Sequence, residues 1–549
     1  MSDSSKHARA SMANLYRIFT IPEAPDSVLR KIDEGISENM IGFLQKHIVA
    51  EETDLVKIEK DFSSTLIPEE PKFVSEQTEF LMEKVVAQSV HTSSPSFIGH
   101  MTSALPYFMI PLSKIMIALN QNLVKTETSK VFTPLERQVL GMLHRLIYDQ
   151  NEGFYERWLH DSHQHLGAFC SGGTVANITA LWAARNKAFG PEGEFGGIAK
   201  EGVFSAYRHY GCEGAAILVS QRGHYSLSKS ADLLGIGREQ VIAIDTDQNN
   251  KIKLDSLRNK LVELKTRNIR PFALIGIAGT TETGNIDPLD ALADIAESEG
   301  IHFHVDGAWG GPAVFSNTHR HMLKGIERAD SVTIDAHKQL YVPMGVGLVL
   351  FRDPDTLTSI EHHAQYIIRR DSKDLGSNTL EGSRPGMAML VHSALNIIGR
   401  GGYELLINQG IEKAQRFAEM ICESEDFELV TEPELNILTY RWVPASVQKL
   451  FKNGTFQDQV NANEVLNKIT RFIQKTQREH GLAFVSRTQL NPPLHNHQSI
   501  TVFRVVLANP LTTVEVLRSV LDEQRQISND SLLEKRIGEL DDLVAHSYV

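Results

Sequence analysis

The chain has 549 residues, with 55 Lys and Arg against 68 Asp and Glu. At roughly 150 residues per domain this length argues against one simple domain. A composition that is 42% hydrophobic and 22% charged argues against disorder or fibre. The net charge of −13 argues against partners held by phosphate neutralisation, nucleic acid above all, and against anionic membrane.

Three cysteines, Cys170, Cys212 and Cys422, stand far apart without a C-x-x-C spacing. That argues against a disulfide framework and a structural zinc site, and points to a reducing cytoplasm. Residues 1–11 are polar and Ser-rich with no apolar core, so no signal peptide is expected. No run of about 18 apolar residues predicts a membrane span.

In chain order, residues 26–88 carry a helical pattern, with Phe80, Leu81, Lys84 and Val85 at helical spacing. A Ser/Pro cluster at 92–96 breaks it. From about 166 to 353, short apolar runs alternate with amphipathic stretches. Residues 215–219, 241–244, 272–278, 301–305 and 331–334 predict buried strands, and a short apolar run stands at 166–170. A helix is expected over 175–188. Another is expected to begin at Pro288, to place Leu289, Leu292, Ala293 and Ala296 on one face, and to end at Gly300. Such alternation predicts an α/β fold with a mostly parallel sheet covered on both faces.

After residue 376 the order changes. A long helix is expected over 387–421, strands over 437–442 and 500–507, and helices over 465–478 and 513–525. The charged tail, 528–549, predicts a peripheral helix. The chain thus divides into an N-terminal helical arm, 1–95, a large domain, 96–375, and a smaller C-terminal α+β domain, 376–549.

Five features bear chemistry. His337-Lys338 follows the strand 331–334, and ligands gather at the carboxyl ends of parallel strands. A lysine there either sits exposed on a loop or forms an imine with an aldehyde cofactor. Asp306 ends the strand 301–305 and precedes Gly307-Ala308-Trp309. A carboxylate there can hold a pyridine nitrogen protonated, and small neighbours let a flat ring approach. Asp306 can also be a turn residue, or a metal ligand with His302 and His304 on one strand face. Metal ranks lower, because a cation competes with Lys338 for the same anions. Ser171-Gly172-Gly173-Thr174 opens the helix 175–188, where backbone N–H groups bind phosphate. His224, after the strand 215–219, can stack on a cofactor ring or serve only structure. Arg504, inside an apolar strand, wants a carboxylate, from substrate or from the protein itself.

Jointly these residues fit pyridoxal 5′-phosphate (PLP) bound as an imine. The chain resembles the group II PLP-dependent amino-acid decarboxylases, which include glutamate, cysteine-sulfinate, aromatic and bacterial tyrosine decarboxylases. The resemblance rests on Ser171-Gly172-Gly173-Thr174-Val175-Ala176-Asn177, Gly223-His224-Tyr225-Ser226, Ala278-Gly279-Thr280-Thr281, His304-Val305-Asp306-Gly307-Ala308-Trp309 and Asp335-Ala336-His337-Lys338. Glu381-Gly382-Ser383-Arg384-Pro385-Gly386 and Phe503-Arg504-Val505-Val506-Leu507-Ala508-Asn509-Pro510 also fit.

The resemblance implies the fold-type-I, aspartate-aminotransferase-like architecture and a homodimer with sites at the interface. It implies Lys338 as the Schiff-base lysine and Asp306 as the partner of the ring nitrogen. His224 stacks on one ring face and Ala308 supports the other. Gly172, Gly173, Thr174 and His337 surround the phosphate, Ser383 reaches across the dimer, and Thr280 lies near the ring. Arg504 and His100 contact substrate.

One departure is visible. Many animal-type members carry a catalytic Tyr on a mobile loop, and the corresponding residues 369–374 contain none. The proton donor is then His224 or a loop residue of the partner subunit. The whole chain looks closest to bacterial PLP-dependent aspartate 1-decarboxylases, which make β-alanine for pantothenate synthesis. Glutamate is the second substrate choice and tyrosine the third. A different PLP reaction, or a non-catalytic PLP-fold binding protein, is a further alternative. The presence of both Lys338 and Asp306 weighs against the binding protein.

Overall fold

A computed structural model describes residues 11, 24–363 and 372–546. The predicted strands, with the apolar run 166–170, lie in a seven-stranded sheet. They are β1 (Gly167–Cys170), β2 (Gly214–Ser220), β3 (Val241–Ile244), β4 (Ile269–Ile277), β5 (His302–Asp306) and β6 (Ser331–Ile334), joined by β7 (Gly347–Phe351). The order is β1-β7-β6-β5-β4-β2-β3. The pairings β3–β2, β2–β4, β4–β5 and β5–β6 are parallel, and β7 is antiparallel to both of its neighbours. Both faces are covered, so these strands are apolar without alternation.

The helix expected over 175–188 begins two residues earlier, Gly173–Ala188, because the glycine turn runs directly into its first turn. The helix expected from Pro288 is Leu289–Glu299. Pro288 is its N-cap, not its first residue, with ψ at 75°, outside the helical range. Gly300 ends it in the left-handed conformation, as its sequence position suggests.

A four-stranded antiparallel sheet follows. It comprises β8 (Phe427–Thr431), β9 (Ile437–Trp442), β10 (Ser486–Leu490) and β11 (Ile500–Val506), in the order β10-β11-β9-β8. Helices Phe456–His480 and Val514–Ser528 pack beside it, each started by a threonine cap, Thr455 and Thr513. The tail forms the helix Glu534–His546.

The long helical segment Ala388–Cys422, kinked at Gly399 where φ is 70° and ψ 167°, belongs to both halves. Its first part, Ala388 to Ile411, packs in the core of the large sheet, and Ala414 to Ile421 pack in the core of the small one. A hydrogen-bonded triangle also ties the two halves. Trp309 Nε1 donates to Asn436 Oδ1 at 2.9 Å, and Asn436 Nδ2 donates to Gln339 Oε1 at 2.9 Å. Gln339 Nε2 returns to the Trp309 carbonyl. All three side chains are buried, so the small sheet is held in fixed relation to the strand ends that carry Asp306 and Lys338.

Candidate active site

Five strand ends converge on one cavity of about 340 Å³. Ser171 to Val175 enter from β1, Arg222 and His224 from β2, and Gly279 and Thr281 from β4. Asp306 and Ala308 enter from β5, and Asp335, His337 and Lys338 from β6. Since β7 runs the opposite way, the loop before it brings Met344 to the same edge. The topology alone gathers these residues, as open parallel sheets do at the carboxyl ends of their strands.

Asp306 is 7% exposed, and two donors fix its carboxylate. Asn177 Nδ2 donates to Oδ2 at 2.9 Å, and the Ala308 N–H donates to Oδ1 at 3.2 Å. His304 and His302 do not join it as ligands. His304 contacts Ser331 Oγ and Asn177 Oδ1 through its two ring nitrogens, and His302 Nε2 also meets Ser331 Oγ. Burial brings both imidazoles down to about 4, so both are neutral. Among the described residues no group of three His, Cys, Asp or Glu side chains is placed to hold a metal ion.

Lys338 Nζ lies 3.1 Å from Asp335 Oδ2, and His337 Nε2 lies 3.8 Å from the same atom. Asp335 Oδ1 is buried and without a partner. Asp335 is thus a site residue for which its motif, Asp335-Ala336-His337-Lys338, carries no expected role. Asn177 is another. Both lie within the runs that carry the resemblance, and that was the available signal.

Gly173 and Gly347 stand where a side chain would not fit. A Cβ on Gly173 would lie 2.7 Å from Asp335 Oδ2, and one on Gly347 would lie 2.6 Å from both Asp335 Oδ1 and the Gly172 carbonyl carbon. Thr174 follows on the first turn of the helix, whose N–H groups lack intrahelical acceptors. Ser171 N–H donates to Glu381 Oε2 at 2.9 Å. Cys170, just below, is buried, and burial pushes its thiol up to about 12, so it is inert packing.

His224 lines the cavity, with Nδ1 on Ser226 Oγ at 2.9 Å. Burial lowers its pKa and outweighs the opposing pull of Asp306. It is therefore neutral at pH 7.

Arg504, on β11, is 8% exposed. Its Nε donates to the Thr281 carbonyl at 2.7 Å and its Nη1 to the Gly99 carbonyl at 3.3 Å, while Nη2 is buried without a partner. Burial lowers it to about 10 despite the nearby Glu282. His100 follows Gly99 and is solvent-exposed. Partial desolvation, then the charges of Arg504, Lys338 and His337, lower its pKa.

Arg504 and His100 thus stand beside the cavity without lining it, and Thr280 and Ser383 lie outside it as well. Thr280 is turned away: its hydroxyl meets Thr283 Oγ1 at 2.7 Å and accepts from the Asn285 N–H, while its neighbours Gly279 and Thr281 line the cavity. The tight turn between β4 and the next helix recruits that hydroxyl. Ser383 is exposed, accepts from Asn122 Nδ2 at 2.9 Å, and does not line the protomer's cavity. Of the loop expected to lack a catalytic Tyr, residues 369–371 lie outside the described residues.

The residues present fit PLP. A fixed carboxylate, a neutral imidazole and an alanine floor suit a flat pyridinium. The lysine has an acidic neighbour, and the glycine turn leaves room that a side chain would fill.

The family described as pyridoxal-dependent decarboxylase conserved domain matches residues 61–443. The chain is 62% identical over 531 residues to the aspartate 1-decarboxylase of Aliivibrio fischeri, covering 97% of each chain. It is 29% identical over 456 residues to the acidic amino acid decarboxylase GADL1 of Bos taurus, covering 82% of this chain and 80% of that one. The crystal structure of mouse CSAD superposes with a TM-score of 0.77 at 25% identity, covering 90% of this chain and 98% of that one.

Proposed function

Because the chain belongs to the pyridoxal-dependent decarboxylases, we propose that it removes the α-carboxylate of L-aspartate, giving β-alanine and CO2. It has the PLP-dependent fold-type-I architecture and uses PLP. The observation that carries the substrate class is Arg504. It is a buried cation with an unpartnered N–H beside a cavity that already holds the lysine and aspartate of the cofactor site. An acidic amino acid supplies the missing acceptor. The near full-length likeness to an aspartate 1-decarboxylase supports the four-carbon choice.

When bound, PLP supplies the electron sink for the pair left at Cα as CO2 departs. The protein's own side chains do the rest. Lys338 Nζ tethers the cofactor, with Asp335 beside it. Asp306, clamped by Asn177 and Ala308, holds the proton at the ring nitrogen. His224 is neutral and stacks without repelling that cation. The first turn of Gly173–Ala188, with Gly172, Gly173, Thr174 and His337, holds the phosphate. Arg504, with His100 on the same approach, orients the substrate carboxylate, and orientation selects the bond that breaks. Thr280 and Ser383 carry no direct role in this protomer's cavity. Ser383 belongs to the dimer, where it meets the partner's site.

The same reading makes the protein a cytoplasmic homodimer whose N-terminal arm, in its described residues 24–95, packs on the second copy. No residue is buried in the arm helices Val28–Glu38, Met40–His47 and Leu55–Asp61, and Leu66 and Ile67 are 84% and 93% exposed. Such apolar exposure asks for a cover. No described helix is long and apolar enough to cross a membrane. The large domain, 96–375, and the small domain, 376–549, complete the division, with the helix Ala388–Cys422 bridging their cores.

A substrate panel on the PLP-loaded enzyme tests the proposal. CO2 and β-alanine should form fastest from aspartate. Faster turnover of glutamate or tyrosine would overturn the substrate. Lys338→Ala should abolish the visible cofactor band, and a surviving band would overturn the lysine.

A further inference from the structure

Aspartate carries two carboxylates, and Arg504 answers one of them. Among the described residues that line the cavity, the cations are Lys338, which holds the cofactor, and Arg222. Arg222 follows β2, two residues before His224. Its side chain is 12% exposed. Nη1 donates to Glu282 Oε2 at 2.9 Å and Nη2 to Asn250 Oδ1 at 3.0 Å, while Nε is buried and without a partner. Glu282 follows Thr281, the residue whose carbonyl accepts from Arg504 Nε, and its other oxygen accepts from Thr488 Oγ1 at 3.0 Å.

The arrangement is asymmetric in a telling way. Two guanidiniums flank one protein carboxylate, and each keeps a buried N–H donor without an acceptor. A buried unmet donor costs about 1–3 kcal/mol. Glu282, at 38% exposure against 12% for Arg222, is the more open member of the pair, and each of its oxygens already accepts from a side chain. The cluster therefore holds two cations against one anion, with room in its hydrogen bonding for further carboxylate oxygens.

We propose that Arg222 is a specificity-determining residue, which takes the second carboxylate of a dicarboxylic substrate while Arg504 takes the first, with Glu282 as the counter-ion that the substrate partly replaces. This rests on the aspartate reading above and gives it a physical basis: a monocarboxylic amino acid leaves one guanidinium donor unmet. The alternative role, a structural tie between the β2 and β4 loops, makes a different forecast.

The test compares inhibition of the holoenzyme by succinate and by butyrate, four-carbon acids with two carboxylates and one. In Arg222→Gln, the preference for succinate over butyrate should fall by about 10- to 100-fold, the worth of a hydrogen-bonded ion contact. The cofactor band should be unchanged. Glu282→Gln removes the competitor and keeps Arg222, so its succinate preference should exceed that of the wild type. Two outcomes would overturn the proposal. One is an Arg222→Gln holoenzyme that weakens both acids alike. The other is a Glu282→Gln enzyme whose preference is unchanged or lost. Should Arg222→Gln fail to fold, Glu282→Gln still decides. A wild-type enzyme that prefers succinate yet does not turn over aspartate would refute the substrate reading instead, so the two failures are distinguishable.

Discussion

The sheet that presents Arg504 rests on a buried ion pair, and its disruption has a calculable cost. Arg441, in the middle of β9, is fully buried, and its Nε donates to Glu428 Oε2 on β8 at 2.7 Å. His495 Nε2 sits 3.1 Å from the other oxygen, and Asn463 takes a second donor of the arginine. Burial pushes the Glu428 carboxyl up, but Arg441 and His495 outweigh it and bring it down to about 2. Against an ordinary value of 4.5, that is a displacement of about 2.5, or roughly 3 kcal/mol at 1.36 kcal/mol per unit. Arg441 tells the opposite story: burial lowers it in spite of Glu428. The carboxylate gains from the pair and the guanidinium loses by its burial, so the net worth of the pair is smaller than 3 kcal/mol.

Breaking it is another matter. Glu428→Gln leaves a buried arginine uncompensated, which costs about 3–5 kcal/mol. Replacing both partners, Glu428→Leu with Arg441→Met, removes the desolvated charge as well and should cost about 1 kcal/mol or less. The assay is urea denaturation at pH 7, followed by the change in midpoint at constant m value. The pH dependence has a defined sign. The carboxylate's folded value is depressed, so its contribution is complete above about 4.5 and is lost as pH falls towards 2. Wild type should show that acid-side loss and Glu428→Gln should lack this component. A single variant within about 1 kcal/mol of wild type, or a double variant as unstable as the single one, would refute the reasoning.

Three further outcomes are expected. Gly173→Ala places a methyl 2.7 Å from Asp335 Oδ2, so PLP affinity should fall by about tenfold or more in an absorbance titration, as overpacking a tight site costs roughly 1–3 kcal/mol. Asp306→Asn keeps one carbonyl acceptor, for Asn177 or for Ala308 but not both, and loses the charge at the ring nitrogen, so kcat should drop by about 100-fold or more, with about 1–3 kcal/mol of stability lost through the unmet donor in thermal melts. Lys413 is buried and, among the described residues, donates only to the Asn509 carbonyl, and burial lowers it to about 8. Its charge is therefore a liability below pH 8, and that liability fades between pH 8 and 10.5 as the unfolded chain still binds the proton. Lys413→Met should raise stability by about 2 kcal/mol at pH 7, after a lost hydrogen bond is counted, and the advantage should shrink by pH 10 in thermal melts.

Five strands of the large sheet, the helix ending at Gly300 and the strand-end positions of Asp306, His337 and Lys338 were legible in the sequence, and the apolar run 166–170 marked the place of β1. Their signals are local: runs of apolar residues, a glycine that stops a helix, polar residues just past a strand. The edge motif Ser171-Gly172-Gly173-Thr174 and the buried Arg504 were legible for the same reason, as polar interruptions of apolar texture. Other features needed the folded chain. β7 reads as one more apolar run, and only its pairing shows that it reverses direction and delivers Met344 to the site. Thr280 carries the right motif, yet a turn hydrogen bond to Thr283 claims its hydroxyl. Arg222 and Glu282 are 60 residues apart, and Glu282 and Thr488 are 206 apart. No periodicity links them. Which charges meet, and which donors stay unmet, is decided by packing between two sheets held together through Trp309, Asn436 and Gln339. The sequence by itself determined what each strand end carries; the tertiary structure decided which of those groups face one another, because long-range electrostatics and hydrogen bonding exist only after the chain has closed.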